Sequence, residues 1–365
     1  MVGGIGALPL RGRDAELAAI GTRLDEIRSG VGSVIVVEGR AGLGKTRILD
    51  ACASMAAERS FRVGRGEAQP GRTVFELDAL FDALFDGERP LVARDALSDL
   101  HASPEQRFWL LQDIQALIEE AALKDPLLIC LDDLQWAGDG CAVAMRQLPQ
   151  RLASLPVGWV SAFRPNQGLP QVRGAKDQME ASGATMIRLE PLKREAVAEV
   201  AMDVLGAQPD SDLLSRAERM QGNPFLLVEF FRGLQDEGIV TIDSGKARLL
   251  EDRVPRRVSD NMRGRLLRMS PVADRVATLA SALGRRFSVY DLAGMTRMPI
   301  ADLMEPVTEL IQADILVESA DRLAFGHDLI REAVRASSPA PVRRALDRQA
   351  ADVLLARGAV PVEVA

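Results

Sequence analysis

The segment Gly39-Arg40-Ala41-Gly42-Leu43-Gly44-Lys45-Thr46 fits the pattern G-x-x-x-x-G-K-[ST]. That pattern works in one setting, between a buried strand and the start of a helix. Before it stands Ser33-Val34-Ile35-Val36-Val37-Glu38, a short apolar run rich in β-branched residues, as expected of a strand covered on both faces. After it, residues 45–59 read as a helix. Glycines let backbone N–H groups turn inward around phosphates, and the following helix points its positive end at the anion. The segment therefore predicts a P-loop that binds ATP with Mg²⁺. Gly39, Gly42, Leu43, Gly44, Lys45, Thr46 and Arg47 form the expected nucleotide-binding set. Lys45 is expected to reach the β- and γ-phosphates and to assist the chemistry there. The Thr46 hydroxyl is a hard ligand suited to Mg²⁺.

A second element lies about 90 residues on, with another strand between, as P-loop folds place it. Leu127-Leu128-Ile129-Cys130-Leu131-Asp132-Asp133 is an apolar strand ending in two acids. Asp132 is the expected Mg²⁺ ligand, and Asp133 the group that polarises the attacking water. Further strand-like runs occupy 62–66, 157–163 and 185–189, with helices between them, most clearly 104–124 and 140–153. Alternating strands and helices predict an α/β P-loop NTPase with a five-stranded parallel sheet. An amphipathic helix over 14–29 precedes the sheet, and residues 75–125 form a long helical insertion.

From 193 onward strands are expected to cease, with helices at 193–206, 211–221 and 224–236. A hairpin signal spans 239–250. Helices follow at 256–269, 271–283 and 300–312, then two short strands joined at Ala320–Asp321, the outline of a winged helix. A last helix covers 341–357. The expected domains are 1–192 for nucleotide binding, 193–237 as a helical lid, 238–340 as the winged helix, and 341–365 as a C-terminal helix.

Composition removes other classes. Aromatic residues make up 4% and Tyr290 is the sole tyrosine, poor material for stacking on bases or sugars. A net charge of −7 argues against a chain that coats DNA. Arginines do concentrate from Arg253 to Arg286, which reads first as a solvated face or an interdomain contact. Cys52, Cys130 and Cys141 are odd in number, widely spaced and without a C-x-x-C pair, and only His101 and His327 are present. A disulfide framework or zinc site is not expected, and a reducing cytoplasm fits. The N-terminus does not read as a secretory signal, and no apolar run approaches the ~18 residues of a membrane span.

Several motifs together resemble the signal-transduction ATPases with numerous domains (STAND), and most closely the large ATP-binding LuxR-type transcriptional regulators. Leu10-Arg11-Gly12-Arg13-Asp14-Ala15-Glu16-Leu17 resembles the family's Gly-Arg box, which implies that Arg13 lies near the nucleotide. Asp132-Asp133-Leu134-Gln135-Trp136-Ala137 resembles its extended Walker B element. Ala162-Phe163-Arg164-Pro165 resembles its sensor-1 strand end, implying Arg164 near the γ-phosphate. Gly222-Asn223-Pro224-Phe225 resembles its GxP element, implying Pro224 beside the adenine. Phe325-Gly326-His327-Asp328-Leu329-Ile330-Arg331-Glu332-Ala333-Val334 resembles its winged-helix signature, implying that His327 touches a phosphate in a closed state. The resemblance spans roughly residues 8–357.

Each of the last three residues also has a plainer reading. Arg164 could be a surface arginine, Pro224 a first-turn proline after an Asn223 cap, and His327 a histidine satisfied at a helix start. The family usually has an acid where Gly138 stands. Its helical-repeat region and C-terminal helix-turn-helix do not appear, so DNA would be reached only through parts absent here. The implied function is an AAA+/STAND-type switch that alternates between ATP and ADP, hydrolyses ATP slowly, and self-associates in the ATP state. Two alternatives stay open: an ATPase like the origin-recognition proteins, whose winged helix binds DNA, and a module that binds nucleotide without hydrolysis.

Overall fold

The computed structural model describes residues 8–70, 76–93, 96, 107–251 and 253–357. Backbone contacts divide the chain into two units, Met1–Glu190 and Pro191–Ala365.

The first unit opens with α1 (Asp14–Arg28), then β1 (Ser33–Glu38), α2 (Lys45–Glu58) and β2 (Arg62–Glu67). α3 (Asp78–Phe85) and α4 (Arg107–Ala122) lie within the predicted insertion; the start of the predicted helix, 104–106, lies outside the described residues. β3 (Leu127–Asp132), α5 (Asp139–Arg151), β4 (Val157–Phe163), α6 (Pro170–Ala181) and β5 (Thr185–Arg188) complete it. The five strands are parallel and lie in the order β2-β3-β4-β1-β5.

Both sheet faces are covered, which is why the strands read as unbroken apolar runs. Ile35, Val37, Leu128, Cys130, Val160 and Ala162 face α1 and α2, packing on Ile20, Leu24, Ile48 and Cys52. Val36, Ile129, Leu131, Trp159 and Phe163 face the other way, into the core built with Leu80, Leu84, Ile114 and Met145. β2 carries two glycines for a packing reason. A Cβ at Gly64 would lie 2.0 Å from the Ala83 carbonyl oxygen, and one at Gly66 only 1.7 Å from that of Ala79. Helix α3 thus rests directly on the β2 backbone.

The second unit contains α7 (Arg194–Leu205), β6 (Gln208–Pro209), α8 (Ser211–Ala217), a 3-10 turn (Glu218–Met220) and α9 (Pro224–Asp236). The expectation that strands stop at 193 fails at β6. The predicted hairpin forms as β7 (Val240–Asp243) and β8 (Lys246–Leu249), with Ser244 and Gly245 both at positive φ in the turn. β8 also pairs with β6 in parallel, so the hairpin is stitched to the helices before it. α10 (Arg256–Leu266) and α11 (Pro271–Ala282) follow, then β9 (Arg286–Phe287) and α12 (Val289–Thr296). α12 is absent from the sequence reading, although Ser288 and Asp291 form a full capping box at its start. α13 (Ile300–Gln312), β10 (Leu316–Ser319), β11 (Arg322–Phe325), α14 (Asp328–Ala336) and α15 (Ala340–Ala356) end the unit. β10 and β11 form the expected antiparallel hairpin, and β11 also pairs with β9.

Candidate nucleotide site

β1 and β3 flank β4 in the sheet, so their carboxyl ends converge where open α/β sheets bind ligands. The loop after β1 holds Gly42 and Gly44 at φ 79° and 96°, left-handed values that favour glycine. Gly44 is the N-cap of α2 and has no side chain to cap the helix. The Gly39 N–H continues the sheet by donating to the Phe163 carbonyl at 3.1 Å. The Leu43 N–H donates to Arg40 within the loop at 3.3 Å. Lys45 is buried, with Nζ 3.5 Å from the Arg40 carbonyl oxygen, so its ammonium lies along the inside of the loop. Arg47 donates to the Leu8 carbonyl and ties the loop helix to the N-terminal segment.

Arg13 is buried and donates to the Leu43 carbonyl at 3.3 Å and the Glu190 carbonyl at 2.7 Å, besides pairing with Glu16 at 3.2 Å. It thus braces the P-loop against the last residue of the unit.

The Thr46 hydroxyl donates to Asp132 Oδ2 at 2.6 Å, although 86 residues separate them. Burial pushes the Asp132 carboxyl above its ordinary value, and the Asp133 charge adds to this. The Thr46 hydrogen bond, the Asp133 N–H and the Lys45 charge pull it back. A half-buried carboxylate beside a hydroxyl is a hard oxygen pair that suits Mg²⁺. Among the described residues no cluster of three or more His, Cys, Asp or Glu could hold a metal by itself. Mg²⁺ is usually held by one or two carboxylates together with substrate phosphates. Thr46 and Asp132 are the residues that would hold it.

Asp133 follows at φ 49°, a left-handed conformation uncommon outside glycine. Arg164, at the tip of β4, brings Nε to 3.8 Å from Asp133 Oδ1, and its guanidinium lies 6.0 Å from the Trp136 ring centre. The structure therefore brings together Lys45, Thr46, Asp132, Asp133 and Arg164 from three strand tips. It also adds Glu67, which the sequence reading passed over. Glu67 ends β2 directly beside Asp132 in register, and burial, then the Asp132 and Asp133 charges, raise its pKa. The available signal was an acid at the end of a strand-like run.

Pro224 and His327 belong to the second unit. Pro224 is the first residue of α9, whose start is capped by Asn223 accepting from the Leu226 N–H at 3.2 Å. His327 is buried at the N-cap of α14, where Nδ1 accepts from the Leu329 N–H at 3.1 Å. Burial lowers its pKa, partly offset by the nearby Met220 carbonyl and the Asp328 charge. Nδ1 is taken by the Leu329 bond, and Nε2 makes no hydrogen bond. Of the arginine concentration, Arg253 pairs with Glu237 and Glu251, Arg257 with Glu229 and Asp236, and Arg285 with Asp328.

A family model described as an AAA ATPase domain matches residues 9–160. The fold is a P-loop AAA+ fold. Solved structures agree across nearly the whole chain. The ORC2 protein of Aeropyrum pernix, in ADPNP–ADP complexes, is similar with a TM-score of 0.54 at 15% identity, covering 96% of both chains. A Walker-type ATPase of Pyrococcus abyssi gives 0.56 at 15% identity, covering 89% of this chain and 96% of that one. The A. pernix ORC1 protein in complex with DNA gives 0.51 at 14% identity, covering 94% and 97%. An uncharacterised protein of Rhizobium meliloti is 23% identical over 89% of this chain, which spans only 35% of that relative's length. No helix among the described residues is long and apolar enough to cross a membrane.

Proposed function

We propose that this AAA+ unit binds ATP with Mg²⁺, hydrolyses it slowly, and uses the exchange between ATP and ADP as a regulatory switch. The observation that carries the reading is the 2.6 Å bond between Thr46 and Asp132, with Asp133 and Arg164 beside it. It supports the reading because Thr46 and Asp132 are the expected metal ligands and Asp133 the expected water-activating group. In this reading the open start of α2 and the Lys45 ammonium hold the phosphates. Mg²⁺, when bound, supplies charge neutralisation on the β- and γ-oxygens. Asp133 accepts the proton of the attacking water, and Arg164 faces the charge that develops on the γ-phosphoryl group. The reading assigns no arginine finger, a group that contributes ~10³–10⁵ in rate, so turnover is expected to be slow.

The finer reading is a switch module of a regulator like the LuxR-type ATPases, self-associating with ATP, with the winged-helix-like second unit as its output. Its support is the segment from Phe325 to Val334, which forms a strand end, a capping histidine and a helix in the expected order. Phosphate release from ATP and the nucleotide carried by the purified protein test the proposal. An Asp133→Asn variant should bind ATP and lose turnover, and an Asp132→Asn variant should lose Mg²⁺ dependence. Wild-type turnover in Asp133→Asn removes Asp133 from the mechanism.

The likeness to an ORC1 protein solved with DNA favours one other reading, in which the second unit binds DNA. A sequence-selective complex that survives near 150 mM salt would put that reading first, since nonspecific phosphate contacts weaken steeply with salt. The expected outcome is no such complex.

A further inference from the structure

Gln135 lies on the 3-10 turn Leu134–Trp136 that leaves β3, and only 2% of it is exposed. A buried amide needs partners for both ends. Each end of this one meets a residue of the candidate site. Nε2 donates to Asp133 Oδ1 at 2.8 Å, and Oε1 accepts from the Arg164 backbone N–H at 3.2 Å. A carboxylate only accepts and a backbone N–H only donates, so these partners fix which way the amide points. One side chain therefore joins the tip of β3 to the tip of β4.

The surroundings hold it there. Gly168, at φ 98°, closes over Gln135, and a Cβ at that position would sit 3.0 Å from the Gln135 carbonyl oxygen. The left-handed backbone of Asp133 is a conformation that persists only where neighbours over-determine it. The bond from Gln135 is one such constraint. It engages Oδ1, the oxygen that Arg164 also approaches.

We propose that Gln135 is a positioning residue for ATP hydrolysis, locking the Asp133 carboxylate to the Arg164 strand end so that the two present one fixed geometry to the γ-phosphate. The proposal rests on the ATPase reading above. In the step it serves, the water oxygen bonds to the γ-phosphorus and the bond to the bridging oxygen breaks. The electron pair leaves with ADP, and the proton of the water passes to the Asp133 carboxylate.

Gln135→Leu removes both hydrogen bonds at similar volume. Gln135→Glu keeps the acceptor for the Arg164 N–H but loses the donor to Asp133. Both variants should bind ADP as the wild type does and keep KM for ATP, while kcat falls about tenfold to a hundredfold, the effect of a misplaced reacting group. Gln135→Leu combined with Asp133→Asn should be no slower than Asp133→Asn alone, because the effect passes through one carboxylate. ADP with aluminium fluoride, a mimic of the transferring phosphoryl group, should bind about tenfold more weakly to Gln135→Leu than to the wild type. Unchanged kcat, a fall in kcat matched by lost ADP binding, or additive double-mutant losses would each overturn the proposal. A wild type that binds ADP but releases no phosphate removes the ATPase reading instead. Gln135 is then judged on the aluminium fluoride complex alone, where equal affinities reject it.

Discussion

Helix α2 and helix α14 start in opposite ways. At α2 the N-cap is Gly44, which has no side chain to cap the helix. At α14 the N-cap is His327, whose own ring accepts from Leu329. α9 follows the second pattern, through Asn223. A helix end leaves its first N–H groups without helical partners, and something must bond them. A side chain that does so makes the end self-sufficient, whereas a glycine supplies no such bond. The contrast distinguishes a glycine-capped helix start from two starts that a side chain closes.

The largest expected effect breaks the open start. Lys45→Ala should weaken ATP–Mg²⁺ binding roughly a hundredfold, the scale of losing charge-assisted bonds to phosphate, with the fold retained. Calorimetry reads it, and wild-type affinity would end the P-loop assignment.

Next is the closed start of α14. His327→Ala removes a buried cap and should cost about 1–2 kcal/mol of stability, read by urea unfolding. His327→Asn, which can still cap, should recover part of that. Because burial holds the His327 pKa below its ordinary 6.5, the unfolded chain binds that proton more readily. Its contribution to stability is therefore full above pH 6.5 and lost as pH falls below it, through the folded pKa. His327→Asn should flatten the stability profile in that window, and an unchanged profile would show that other groups set it. An ADP release rate equal to that of the wild type would leave His327 as a cap only; faster release would add a nucleotide contact.

Asn223→Ala makes the same test at α9, with an expected loss of about 1 kcal/mol and no change in ADP affinity. A large loss of ADP affinity would show that the GxP-like turn does more than begin a helix. The smallest effect is expected at Arg219, whose guanidinium meets both oxygens of Glu332 at 2.8 and 2.9 Å on an exposed surface. Arg219→Ala should cost less than about 1 kcal/mol, and less again in high salt.

Much of this was legible before any coordinates. The P-loop, the Asp132–Asp133 strand end and the five strands could be read because each is local. A buried parallel strand must be apolar throughout, and a phosphate loop needs glycines followed by lysine at fixed spacing. α12 escaped notice because its eight residues carry too short an apolar pattern, even with a good capping box. β6 escaped because two residues make no pattern at all, and only its pairing with β8 defines it.

What the sequence by itself determined is therefore the glycine-rich loop, the acidic strand end and the sheet that supports them. Tertiary structure alone decided which side chains share a point in space. Arg13 meets the Glu190 carbonyl across 177 residues, Thr46 meets Asp132 across 86, and Gln135 joins Asp133 to Arg164. Those contacts depend on strand order and register, on β4 lying between β3 and β1 and on Glu67 standing level with Asp132. Strand order arises from how helices cover both faces of the sheet, a long-range packing outcome that no local run of residues encodes.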